Sequence, residues 1–91
     1  MKIPELEAIK RVLLTEWDPI GVGDIEGCFD EYDSYAMPVY SMLMRGEGAD
    51  AVTAYLEWVI TDQMEMRASP KHSRRVAERL VELHRDQSGR L

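Results

Sequence analysis

Residues 16–35 read EWDPIGVGDIEGCFDEYDSY and interrupt a chain whose other segments carry helical periodicity. The stretch holds seven acidic residues and no basic residue. Its Asp-Pro step ends the preceding helix, because a residue before proline is disfavoured in the α region. Three glycines then keep the backbone irregular. The sequence therefore predicts an acidic loop of about a dozen residues between the first two helices, and loops of that length in small domains are often functional.

Apolar residues recur at helical spacing on both sides of this loop. Pro4 suits a first helical turn, Ser69-Pro70 is a helix start signal, and Gly46 with Gly48 ends a helix. No stretch alternates with period two as a strand would. The prediction is one all-α domain over residues 1–91, a small four-helix bundle-like fold. Its helices cover about residues 4–16, 31–45, 49–66 and 70–87.

Pro38 conflicts with a straight second helix. A proline in a helix interior removes a hydrogen bond and clashes with the preceding turn, at a cost of ~3 kcal/mol. Either the regular helix begins nearer Ser34, which places Pro38 close to the first turn, or the helix kinks at Pro38.

Charge is distributed unevenly along the 91 residues, whose formal net charge is −6. Residues 1–66 carry fourteen acidic and four basic side chains, whereas residues 67–91 carry seven basic and three acidic ones. An acidic body predicts no nucleic-acid partner, because such binding neutralises phosphates with cations. The single Cys28 excludes an intramolecular disulfide, and no apolar run approaches the ~18 residues of a membrane span. We expect a cytoplasmic protein with no membrane partner.

The carboxylates of the loop allow three interpretations. They could stabilise turns and the start of the second helix, face a cationic partner, or bind Ca²⁺ or Mg²⁺ through oxygen ligands. Capping is favoured because no EF-hand spacing is present, with Asp18 and one residue of DEYD bonded to backbone amides. The cluster consists of Asp18, Asp24, Glu26, Asp30, Glu31 and Asp33.

Catalytic signals are weak. His72 and His84 lie twelve residues apart, which is not the spacing of a helical metal pair, and both fall on a charged face as surface or boundary histidines. The chain has no phosphate-binding glycine loop, nucleophile elbow or HExxH motif. We therefore predict no enzymatic activity and no cofactor.

Trp17 is predicted to be buried, since it ends the first helix on the same face as Ile9 and Leu13. Most tyrosines and tryptophans of the set that includes Trp58 are expected in the core or at its edge, and one or two of their polar tips are expected to hydrogen-bond the loop. Six methionines suggest either adaptable core packing, the favoured interpretation, or an adaptable binding face.

The pairing of WDPIG at Trp17–Gly21 with DEYDSY at Asp30–Tyr35 resembles a family of small bacterial proteins of unknown function. The resemblance covers roughly residues 6–66. It implies an all-helical fold and no established activity. The candidate interaction residues of the motif pair are Trp17, Asp18, Pro19, Asp30, Glu31, Tyr32, Asp33 and Tyr35.

Two functional hypotheses follow from these observations. The first is a non-catalytic protein-interaction domain, of immunity or inhibitor type, that masks a cationic protein partner. The alternative is a divalent-metal-binding protein that uses the loop carboxylates. The sequence leaves self-association into a homo-oligomer open.

Overall fold

The fold contains four α-helices within the residues that the computed structural model describes, which are 3–18, 21, 32–67 and 69–88. Of these residues 82% are helical and none is in a strand, which confirms the all-α prediction. The helices are α1 (Pro4–Val12), α2 (Asp33–Met44), α3 (Ala49–Trp58) and α4 (Pro70–Ser88). None of these four, within that part of the chain, is both long and apolar enough to cross a membrane. Most of the predicted acidic loop lies outside the described residues.

Two of the helices continue as π-helical segments. Leu13–Trp17 extends α1, and Val59–Gln63 extends α3. At the end of the first segment the Asp18 amide donates to the Leu13 carbonyl over 2.9 Å, a bond that spans five residues. Asp18 itself is left-handed, with φ 32°. The helical path therefore stops directly after Trp17, as the Asp-Pro step predicted.

Helix α2 begins at Asp33, close to the predicted start, and runs through Pro38. Pro38 is its sixth residue, so it lies in the second turn and has no N–H to donate to the carbonyl of Ser34. Ser34 is exposed, which allows water to satisfy that carbonyl. The structure thus resembles the first of the two predicted alternatives, with the proline slightly farther inside the helix.

The end of α2 is a Schellman motif. The Gly46 amide donates to the Leu43 carbonyl and the Glu47 amide donates to the Met42 carbonyl, both over 3.0 Å. Gly46 occupies the left-handed position with φ 82°, where a side chain would strain the backbone. The predicted glycine stop is confirmed, and it turns the chain into α3.

The α3 segment stops earlier than predicted, at Gln63 instead of residue 66. Glu65 follows in a left-handed conformation, with φ 53°. The Met66 amide then donates to the Ile60 carbonyl over 2.9 Å and closes the turn. After this turn the Ser73 amide donates to the Ser69 carbonyl over 2.9 Å, so α4 starts where the Ser-Pro signal predicted.

The core is formed by residues from all four helices. Helix α3 packs most extensively against α4, while α1 packs against both α2 and α4. The buried apolar residues are Ile9, Val12, Leu13, Trp17, Tyr32, Ala36, Val39, Leu43, Val52, Leu56, Val59, Ile60, Val76, Ala77 and Leu80. These positions follow the predicted helical stripes.

Methionine packs against this core at two positions, Met42 and Met64, as the favoured interpretation predicted. Met37, Met44 and Met66 are exposed, and no methionine is among the buried residues of the described chain. The favoured interpretation of the methionines as core packing is therefore wrong at these three positions.

Gly46 provides a test of the Schellman cap. We expect Gly46→Ala to destabilise the protein by about 1–2 kcal/mol, because Cβ disfavours the left-handed conformation. No neighbouring atom obstructs that Cβ, so the cost is conformational. Gly48→Ala is the matched control, since Gly48 is extended with φ −94°. Equal unfolding free energies for the two variants in urea would contradict this account.

Candidate functional site

A hydrogen bond joins the two ends of the acidic stretch. The phenol of Tyr32 donates to Asp18 Oδ1 over 2.7 Å, across fourteen positions of sequence. Tyr32 is 1% exposed and immediately precedes α2. The WDPIG and DEYDSY motifs therefore meet in space through one polar contact. Sequence analysis assigned both residues to the motif pair but did not predict their direct bond.

Trp17 lies beneath this bond and is also 1% exposed, which confirms its predicted burial. Its ring packs edge-on against Tyr32 at a centroid distance of 5.3 Å and against Tyr35 at 6.1 Å. Such edge-to-face pairs add about 0.5–1.5 kcal/mol each beyond the area they bury. The aromatic residues of the two motifs thus form a continuous packing unit.

His72 connects this unit to α4. Its Nε2 lies 2.9 Å from the backbone carbonyl oxygen of Trp17, and because a carbonyl only accepts, Nε2 must carry the proton. His72 is half-buried, which fits the predicted surface or boundary position, but its bond to Trp17 was not predicted. We call Trp17, Asp18, Tyr32, Tyr35 and His72 the Trp17 junction.

Asp33 is the first residue of α2. Its carboxylate lies near the positive end of the helix dipole and 3.9 Å from Lys10 Nζ of α1. A hydrogen bond to Glu7 raises the pKa of Lys10, and the charges of Glu7 and Asp33 add to that rise against partial desolvation. The N-cap residue is Tyr32, which makes no side-chain cap bond. Asp33 therefore acts by charge and not as the N-cap.

The remaining motif residues, Pro19, Asp30 and Glu31, lie outside the described residues. The same holds for most of the acidic cluster, so the metal-binding alternative stays a prediction. Among the residues that the structure describes, no group of three or more His, Cys, Asp or Glu side chains could hold a metal ion.

The second histidine, His84, also has a specific partner. Its Nδ1 lies 2.6 Å from Glu5 Oε2, which joins α4 to α1. Both side chains are mostly buried, 21% and 12% exposed respectively. His84 therefore also lies at the boundary, but charge patterning along α4 cannot reveal a partner on α1.

A hollow of about 230 Å³ lies against the Trp17 junction. It is bordered by the end of the first π-helical segment, by Ile60 of the second and by the start of α4. The lining residues are Trp17, Asp18, Ile60, Met66, Arg67, Ser69 and His72. The indole Nε1 of Trp17 is buried and has no acceptor among the described residues. An unpaired buried donor costs about 1–3 kcal/mol, so Trp17 carries this cost within the core.

A separate aromatic surface lies on α3. Trp58 is 47% exposed and is the exception among aromatic residues of which most were predicted in the core or at its edge. Its ring stacks on Tyr55 at a centroid distance of 6.1 Å. Burial raises the pKa of the Tyr55 phenol, and the neighbouring Tyr35 adds to the rise. Tyr55 is therefore partly buried in the bundle, whereas Trp58, stacked on it, is exposed to solvent.

The charged residues that neighbour this surface along the sequence are all acidic. Residues 46–66 contain five acidic side chains and no basic one. Glu57 and Asp62 flank Trp58 along the helix and form no ion pair within the described part of the chain. An exposed tryptophan bordered by unpaired carboxylates is typical of an interaction surface.

Comparisons with protein-family models, curated proteins and solved structures find no match to this chain. The resemblance of its motif pair to a family of bacterial proteins therefore stays a prediction. Function has to be argued from the chain's own geometry and charge.

The Asp18–Tyr32 bond yields a prediction of stability. Tyr32→Phe should lower the free energy of unfolding by about 1.5–3 kcal/mol, since hydrogen bonds to charged groups contribute that much. Tyr40→Phe is the control, because the Tyr40 hydroxyl has no partner in the described part of the chain. We expect the control to lie within about 0.5 kcal/mol of the parent in urea unfolding. Similar losses in both variants would show that the bond contributes nothing specific.

The loop carboxylates yield a second prediction. If they stabilise local backbone, millimolar Ca²⁺ or Mg²⁺ should leave the melting temperature unchanged relative to a chelator control. An ion that binds only the folded state must raise that temperature by mass action. A saturable rise of several degrees would instead establish the metal-binding alternative.

Proposed function

We propose that this protein is a non-catalytic protein-interaction domain that binds a cationic partner through the Trp58–Tyr55 surface of α3. The observation that carries the proposal is the 47% exposure of Trp58 within a segment that has no basic residue. Tryptophan and tyrosine are enriched among the residues that dominate binding energy.

The charge of the chain favours a cationic partner over an acidic or neutral one. Asp50 is neutralised by Arg74, and Glu47 pairs with Arg45 over 2.7 Å. Glu57 and Asp62 stay without such pairs in the described residues and lie beside Trp58. Carboxylates in this position accelerate encounter with a positive surface and reject negative ones.

The rigidity of the surface also favours binding. The partly buried ring of Tyr55 stacks on that of Trp58 at a centroid distance of 6.1 Å and restricts its position. A tryptophan held in place before association loses little conformational freedom when the partner binds. An immunity-type or inhibitor-type role, in which this acidic face masks a cationic surface of another protein, is consistent with these features.

Affinity capture from the native host, followed by binding measurements with the purified partner, tests the proposal. Trp58→Ala should weaken the affinity at least about 30-fold, as truncation of a hot-spot tryptophan does. Met44→Ala is the matched control, because Met44 is 60% exposed on α2 and lies away from α3. Full affinity of Trp58→Ala, with an unchanged melting temperature, would contradict the proposal.

Charge is tested with a second pair of variants. Glu57→Gln combined with Asp62→Asn should slow association and flatten its dependence on salt, with little change in stability. The control is Glu82→Gln combined with Asp86→Asn, which removes the same amount of charge from exposed positions of α4. Equal effects of the two pairs would mean that net charge, and not this surface, attracts the partner.

A further inference from the structure

On the basis of the proposed function, we infer that the Trp58–Tyr55 surface recognises an arginine side chain of the partner protein. The guanidinium stacks on the indole of Trp58 and pairs with the carboxylate of Asp62. The surface therefore distinguishes arginine from a lysine of equal charge. This assignment follows from the exposure of the indole, from the placement of the carboxylate and from the positions of the chain's own cations.

The Trp58 indole is covered by an aromatic ring on one side only. It stacks on Tyr55 with an interplanar angle of 29° and a centroid distance of 6.1 Å, and no third ring contacts this pair in the described part of the chain. The residue one turn before Trp58 is Ala54, which is exposed and too small to cover the indole. Because Trp58 is 47% exposed with Tyr55 on one side, its exposed area includes the opposite face of the ring.

A planar cation fits one open aromatic face better than a compact cation does. A guanidinium is planar and weakly hydrated, so it stacks on a ring while the N–H groups at its edge stay free to donate. A lysine ammonium is strongly hydrated and has no plane to stack, and at a half-exposed ring it keeps its water. Tryptophan is the best aromatic partner of a cation, and arginine is the more frequent cation in such pairs. The ring at Trp58 therefore favours arginine.

Asp62 supplies a carboxylate next to this ring. It is exposed and follows Trp58 by four residues, which brings the two to neighbouring positions on the helix surface. The Thr61 hydroxyl lies 3.2 Å from Asp62 Oδ1 and 3.0 Å from the Glu57 carbonyl oxygen, so the carboxylate is held beside the turn that carries Trp58. Asp62 Oδ2 has no partner among the described residues. A guanidinium on the indole can donate to it in a charge-assisted hydrogen bond.

The chain's own cations do not occupy this position. Residues 46–66 contain no arginine or lysine. Arg45 and Arg74 pair with acidic residues at the first turn of α3 or just before it, whereas Trp58 is the last residue of that helix. Asp62 forms no ion pair within the described part of the chain. The cation that completes this surface therefore comes from another molecule.

Nuclear magnetic resonance titration of ¹⁵N-labelled protein with tetra-arginine and with tetra-lysine tests the assignment, because the two peptides carry the same charge. At constant ionic strength tetra-arginine should shift the Trp58 indole signal saturably and bind about threefold or more tighter than tetra-lysine. The buried Trp17 indole is the internal control and should not shift. Equal affinities would overturn arginine recognition but leave the proposed function intact, since both peptides model a cationic partner. No saturable shift of Trp58 would also overturn the assignment.

Two variants separate the contribution of the ring from that of the carboxylate. Trp58→Leu keeps an apolar side chain without an aromatic face, so tetra-arginine should then bind only as tightly as tetra-lysine, as read from the Thr61 and Asp62 amide signals. Asp62→Asn should weaken tetra-arginine about twofold to fivefold, whereas Glu82→Gln removes the same charge from an exposed position of α4 and should leave the affinity near that of the parent. A retained preference for arginine in Trp58→Leu, or equal weakening by Asp62→Asn and Glu82→Gln, would overturn the assignment. Tighter binding of a trimethyl-lysine peptide than of tetra-arginine would also overturn it and identify methylated lysine instead.

Discussion

Trp17 lies where three helices meet. It ends the π-helical extension of α1, its ring packs on the tyrosines that open α2, and its carbonyl accepts a hydrogen bond from His72 at the start of α4. Three helices therefore depend on one residue for their relative placement. Because Trp17 has almost no exposed surface, its truncation would leave a cavity in the core.

The acidic and the basic parts of the chain lie on two helices, α3 and α4, that pack against each other. Helix α3 and the segment after it are acidic, and the first turns of α4 are basic. Arg74 bridges the two helices, because it pairs with Asp50 on α3 and with Glu78 on its own helix. Hydrogen bonding to Asp50, and then to Glu78, raises the pKa of Arg74.

Local patterns predicted the helices well because each helix has its own apolar stripe and stop signal. The Gly46 stop, the Ser69-Pro70 start and the burial of Trp17 all depend on a few neighbouring residues. The same patterns could not predict the bond between Asp18 and Tyr32, which requires knowing how the two motifs fold together.

The site residues that sequence reasoning missed are those whose environment depends on tertiary packing. Trp58 is half exposed, whereas Trp17 and Tyr32 are buried, and local spacing does not separate them. His72 and His84 lie in a charged helix, but each is bonded to a residue more than fifty positions away. No local periodicity carries that information. The sequence also did not predict the two π-helical segments. Apolar spacing does not distinguish hydrogen bonds between residues i and i+5 from those between residues i and i+4.

The central claim is that Trp17 holds the ends of α1, α2 and α4 together, and urea unfolding of Trp17→Ala tests it most directly. A buried tryptophan truncated to alanine costs about 3–5 kcal/mol, a large part of the ~5–15 kcal/mol typical of a domain. Trp58→Ala is the internal comparison, because the same truncation at a half-exposed position should cost far less. We expect Trp17→Ala to be close to unfolded in water at 25 °C while Trp58→Ala unfolds near the parent midpoint. Equal midpoints for the parent and both variants would contradict the account.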